Sequence, residues 1–117
     1  MAWSGGLDQR AFPRFSTHCD IAIENQQFSQ GFKAKTQNLG VGGVCVILDQ
    51  GLEKLSQVRV RLSLGPAKKS IECNGRVVWI VRSKELKSRK VSFDTGIEFV
   101  NLSPEDQARI EEFIQTA

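Results

Sequence analysis

What most constrains this chain is an alternation of apolar and polar residues that recurs along nearly its whole length. Cys19, Ile21 and Ile23 alternate with His18, Asp20 and Ala22, the two-residue period of a strand with one buried face. Residues 31–38 alternate more loosely until Gly40, Gly42 and Gly43 interrupt, and Val44, Val46 and Leu48 resume the pattern. Val58, Val60, Leu62 and Leu64 share one parity against Arg59, Arg61 and Ser63. Ile71, Cys73, Val77, Trp79 and Val81 share another, with Gly75 as a candidate bulge. Val91, Phe93, Thr95, Ile97 and Phe99 form the last alternation. Six such segments at short spacing, joined by glycine-bearing turns, predict a mainly β chain that closes into a small antiparallel barrel.

The C-terminal residues follow a different period. Ser103 suits an N-cap, Pro104 the first helical position, and Glu105 with Asp106 complements the helix dipole. Ile110, Phe113 and Ile114 then fall on one stripe, which predicts a terminal helix packed across a barrel mouth. A short helical turn is also expected around Leu52–Leu55. Residues 1–15 carry no strand or helix pattern, so they are read as a flexible N-terminal segment ahead of a single domain at 16–117. At 117 residues the chain is long enough to bury a core without disulfides or a metal.

Composition excludes several classes of function. There is one histidine and no tyrosine, and no H-E-x-x-H, G-x-S-x-G or phosphate-loop pattern, so no catalysis is expected. Cys19, Cys45 and Cys73 are an odd set without a C-x-x-C, which argues against zinc and disulfides and for a reducing cytoplasm. No apolar stretch is long enough to span a bilayer, and the first nine residues lack the pattern of a secretory signal. The net charge is +3, yet residues 103–117 hold four acids against Arg109, leaving the body of the chain basic. That suits an anionic ligand or partner but is modest for a dedicated duplex-DNA binder.

Two short motifs stand out against this background. Arg10 and Arg14 flank Ala-Phe-Pro in a segment that Pro13 keeps out of a helix. A guanidinium fork pairs bidentately with phosphate or with guanine O6 and N7, and it stacks on bases. About 25 residues later, Asn38-Leu39-Gly40-Val41-Gly42-Gly43 ends a strand with an amide and a glycine-rich turn. Such a turn fits a plain hairpin; it also leaves backbone N–H groups open to a flat ligand.

Taken in order with the Gly75–Trp79 strand, the Gly96–Phe99 strand and the helix opened by Ser103, these motifs resemble the PilZ domain family. The resemblance spans about residues 8–115. It implies a six-stranded PilZ-type barrel with a C-terminal helix that binds the bacterial second messenger cyclic di-GMP, without a cofactor. The signal would then pass by protein contacts to a downstream partner. Residue by residue, it implies that Arg10 and Arg14 clasp the guanines and phosphates. Asn38 would bond a guanine edge, and Gly43 would permit close backbone approach. Gly40 stands where the family pattern has serine, removing one hydroxyl whose bond contributes about 0.5–1.5 kcal/mol. Gln9 stands where many relatives carry a further arginine.

Two alternatives stay open: a PilZ-like adaptor that has lost its ligand, and a small nucleic-acid-binding barrel. The core parity of most aromatics speaks against the second. Between the last two strands, Arg82, Lys84, Lys87, Arg89 and Lys90 with Glu85 carry +4. This basic stretch fits a solvated hairpin loop, an electrostatic lure for the ligand, or a contact for an acidic partner.

Overall fold

Each alternating segment becomes a strand: β1 (Asp20–Asn25), β2 (Phe28–Leu39), β3 (Gly43–Leu48), β4 (Gln57–Ser63), β5 (Ile71–Lys84) and β6 (Val91–Val100). Among the described residues one helix, α1 (Pro104–Thr116), follows the strands. The computed structural model describes residues 19–25, 28–65 and 68–116. The segment 1–15, with Arg10 and Arg14, and His18 lie outside the described residues. The strands close in the order β1-β2-β3-β6-β5-β4, antiparallel at every step, with β4 returning to β1. The expected six-stranded barrel with a C-terminal helix is what the chain forms.

The inward parity of every strand fills one core. Ile21, Ile23, Leu39, Val44, Val46, Val60, Leu62, Ile71, Val77 and Ile97 are almost wholly removed from water. Gly75 points into this core: a Cβ there would come within 2.6 Å of Ile97 Cγ2 and 3.1 Å of Val60 Cγ2. Gly75 is therefore not the bulge expected from the sequence but a position where the packed interior leaves no room for a side chain.

At one end of the barrel α1 seals the opening. Ser103 Oγ accepts the Asp106 N–H at 3.1 Å, capping the helix as its position suggested. Ile110 is buried in the core, and Phe113 and Ile114 pack against it. Arg109 reaches across to donate to the Lys69 carbonyl, tying the helix to the loop before β5. Between β3 and β4 the expected helical turn is absent. Lys54 and Leu55 form a plain turn, with Leu55 at φ 70 and its N–H given to the Val77 carbonyl.

Candidate ligand site on the outer barrel wall

Two bulges decide which residues face outward near the glycine-rich turn. In β2, Thr36 pairs with Val46 and Asn38 with Cys45, so Gln37 is an extra residue in the ladder. Thr36 and Leu39 both point inward and are fully buried, although three positions apart. Asn38 is thereby turned to the outer face. In β5, Val77 pairs with Ile97 and Trp79 with Gly96, so Val78 is the extra residue. Bulges of this kind bend a strand and re-aim the side chains that follow. The sequence parity that grouped Trp79 and Val81 with Ile71 and Cys73 fails here: both residues lie on the outside, and Ile80 turns inward instead.

The result is a row across four strands on one outer face: Asn38, Cys45, Gly96 and Trp79. A Cβ at Gly96 would collide with the pyrrole edge of the Trp79 indole, so the indole lies on the wall where Gly96 leaves a gap. Its Nε1–H is buried and has no acceptor among the described residues. Cys45 alternates outward from Val44 and Val46 but is still only 7% exposed, so it belongs to this face and not to the interior cluster. The next row holds Gly43, Glu98 and Arg76. There the Arg76 guanidinium meets the Glu98 carboxylate at 2.9 Å, which leaves that acid compensated beside the turn.

The turn itself is held by backbone alone. Gly40 N–H donates to the Gly43 carbonyl at 2.9 Å, and Phe99 N–H to the Gly42 carbonyl at 2.9 Å. Among the described residues Gly65 is the glycine with positive φ, so Gly40 is not there for a left-handed backbone. Asn38 is half-buried, and its amide has no hydrogen-bond partner among the described residues. Asn38, Gly40 and Gly43 are thus brought together at one end of the barrel.

That end is also where the chain enters the fold. Cys19 N–H donates to Thr36 Oγ1 at 3.0 Å, and Thr36 N–H to the Cys19 carbonyl at 2.9 Å, two residues from Asn38. Arg14 precedes Cys19 by five residues, a length that spans at most about 17 Å fully extended. Nearby, a groove of about 560 Å³ opens among Cys19, Asp20, Lys35, Leu64, Lys68 and Phe113, without Asn38, Gly40 or Gly43 in its lining. Burial pushes the Cys19 thiol up and the Cys73 thiol to about 11, so both stay protonated and unreactive near neutrality. The described residues contain no group of three His, Cys, Asp or Glu side chains placed to hold a metal ion.

Sequence parity did not place Trp79 on the outer wall beside the candidate site. The signal was present in the unbroken apolar run Val77–Val81, where no alternation indicates a face, and in the glycine opposite.

The described residues thus form a closed six-stranded barrel sealed by a helix, with a polar and aromatic row on its outer wall and a glycine turn beside it. The PilZ domain family model matches residues 8–116, and the chain belongs to that family. No curated protein sequence gives a significant match. Among solved structures, the PilZ domain of Escherichia coli YcgR with c-di-GMP superposes with TM-score 0.74 at 13% identity, covering 92% of this chain and 90% of that one. Bacillus subtilis MotI/DgrA, an inhibitor of motility, gives 0.72 at 20% identity over 92% of this chain and 50% of its own. The K. pneumonia MrkH–c-di-GMP complex gives 0.69 at 15% identity over 90% and 49%. The chain spans about half the length of MotI and MrkH, and at these identities the likeness is one of fold. No helix among the described residues is long and apolar enough to cross a membrane.

Proposed function

We propose that this chain is a receptor for cyclic di-GMP that relays ligand binding through protein contacts, without catalysis. The observation that carries this reading is the outward row from Asn38 to Trp79 beside the Gly40–Gly43 turn, at the end where the chain bearing Arg10 and Arg14 joins β1. A dianionic ligand with two guanines needs forked cations for its phosphates and Hoogsteen edges, and Arg10 with Arg14 supplies them. Asn38 offers an unengaged amide to a base edge, and Gly43 lets a flat base approach the backbone. The Trp79 indole provides an aromatic surface on the same wall, to which a guanine can stack. With Glu98 already answered by Arg76, the wall does not set an uncompensated carboxylate against the phosphates at that point.

One observation favours a second reading. Gly40 takes the place of the family's serine, so the turn offers one hydroxyl fewer, as expected of an adaptor that has lost its ligand. Calorimetric titration with cyclic di-GMP, with GTP and single-stranded RNA as controls, separates the two. The receptor reading expects saturable heat with cyclic di-GMP. It also expects a loss of about tenfold or more for Arg10→Ala and for Arg14→Ala, since each charge-assisted bond contributes about 1.5–3 kcal/mol. No heat and no thermal shift in the wild type would leave the adaptor. Equal binding of mixed RNA would favour the nucleic-acid barrel.

A further inference from the structure

Positive charge in this chain is concentrated in one element. Residues 82–90 hold Arg82, Lys84, Lys87, Arg89 and Lys90 against Glu85, a net +4 in a chain whose total is +3, so the remainder sums to −1. These residues form a two-stranded ribbon that outruns the barrel. β4 accompanies β5 only from Ile71 to Arg76, and β3 leaves β6 at Phe93. β5 and β6 stay paired to Lys84 and Val91. The tip is ordered by its own backbone: Glu85 N–H donates to the Lys90 carbonyl and Arg89 N–H to the Glu85 carbonyl, each at 2.8 Å. Every residue from 81 to 90 is exposed, Leu86 at 93%. None of the five cations enters an ion pair among the described residues. A cluster of unpaired like charges around a bare leucine has the anatomy of a contact: an apolar centre with a charged rim.

At the opposite end of the molecule, the helix α1 itself carries the complementary sign. α1 exposes Glu105, Glu111 and Glu112, and its last turn holds no base to answer the helix dipole. Val100, which leads into the helix, pairs with Asn74, and ten residues of β5 separate Asn74 from Lys84, about 33 Å of strand. Basic ribbon and acidic helix therefore stand at opposite poles. We propose that the ribbon docks on α1 of a second copy of this chain. In an antiparallel pair, both ribbon–helix contacts form at once about a twofold axis, which closes the assembly. Leu86 packs on the partner's helix while the surrounding cations face its glutamates. A duplex nucleic acid would engage the cations but leave Leu86 without a partner.

Sedimentation velocity at low salt, over about 10 μM to 1 mM protein, tests this directly. Self-association is expected to weaken by about tenfold or more in concentrated salt, as screening shortens to about 3 Å at 1 M. Lys84→Glu/Lys87→Glu and, separately, Glu111→Lys/Glu112→Lys should each abolish it, with circular dichroism unchanged because the altered residues are exposed. An equimolar mixture of the two reversed chains should associate again, because each offers the sign the other needs. A sedimentation profile that stays monomeric throughout, or association that survives either reversal, overturns the proposal. So does a ribbon whose reversal abolishes binding to a duplex DNA probe in a chain that never self-associates.

Discussion

Gly96 holds the outer wall in shape by what it lacks. The Trp79 indole occupies the space a Cβ would need, so Gly96→Ala forces the ring off the wall while the inward neighbours Thr95 and Ile97 keep the core. In a Trp3→Phe background, which leaves Trp79 as the sole tryptophan, that substitution should shift indole emission to the red with the barrel still folded. Trp79→Ala should weaken cyclic di-GMP binding by about tenfold, the scale of one base–aromatic stack. Unchanged affinity in Trp79→Ala would take the indole out of the proposed site.

At the same scale, Cys73 makes stability depend on pH in the alkaline range. Its thiol ionises at about 11 when folded, chiefly because burial disfavours the thiolate, against 9.0 in the open chain. Between these values the unfolded state binds fewer protons, so stability is retained below pH 9.0 and falls as pH rises toward 11. Urea midpoints measured across that interval should decline, and Cys73→Val should flatten the decline. A slope untouched by the substitution would assign it to other groups, Cys19 among them.

Among the elements, α1 is the part whose contribution can be separated most cleanly. Its cap rests on one hydroxyl and its anchorage on one buried isoleucine. Ser103→Ala should cost about 1 kcal/mol and Ile110→Ala about 2–5 kcal/mol in thermal or urea unfolding. Near-equal losses would mean that the helix is held by Phe113, Ile114 and Arg109 more than by its centre. The helix was readable in advance because cap, proline and stripe agree within twelve residues. The strands were readable for a similar reason: Val58, Val60 and Leu62 leave no doubt about which side faces the core. Alternation loses its power where a strand takes an extra residue. Nothing in Thr36-Gln37-Asn38-Leu39 or in Val77–Val81 marks which residue is unpaired, because that depends on partners far along the chain. Asn38 and the glycines of the turn were therefore found as a motif, and their place in a row with Trp79 emerged only once β3 and β6 lay between them.

For the molecule as a whole, the end of the barrel where β1 starts gathers the turn, the helix and the point of chain entry. Under the receptor reading, cyclic di-GMP bridges Arg10 and Arg14 to the Asn38–Gly43 turn, and the partner senses the new arrangement at this end. Amide exchange over residues 1–15 should then slow on adding ligand, while β4 from Val58 to Leu62, paired on both sides, stays unchanged. Exchange over residues 1–15 that saturating ligand leaves unaltered would remove that segment from the site.

The same backbone serves both sides of the barrel wall, and this separates two kinds of evolutionary pressure. The inward residues carry stability, whereas Asn38 and Trp79 face away from the core and can be exchanged at little cost to folding. Under the receptor reading, recognition on this wall is therefore free to drift, strengthen or disappear while the barrel persists. Gly96 adds a second route: a side chain there displaces the indole even in a lineage that keeps Trp79.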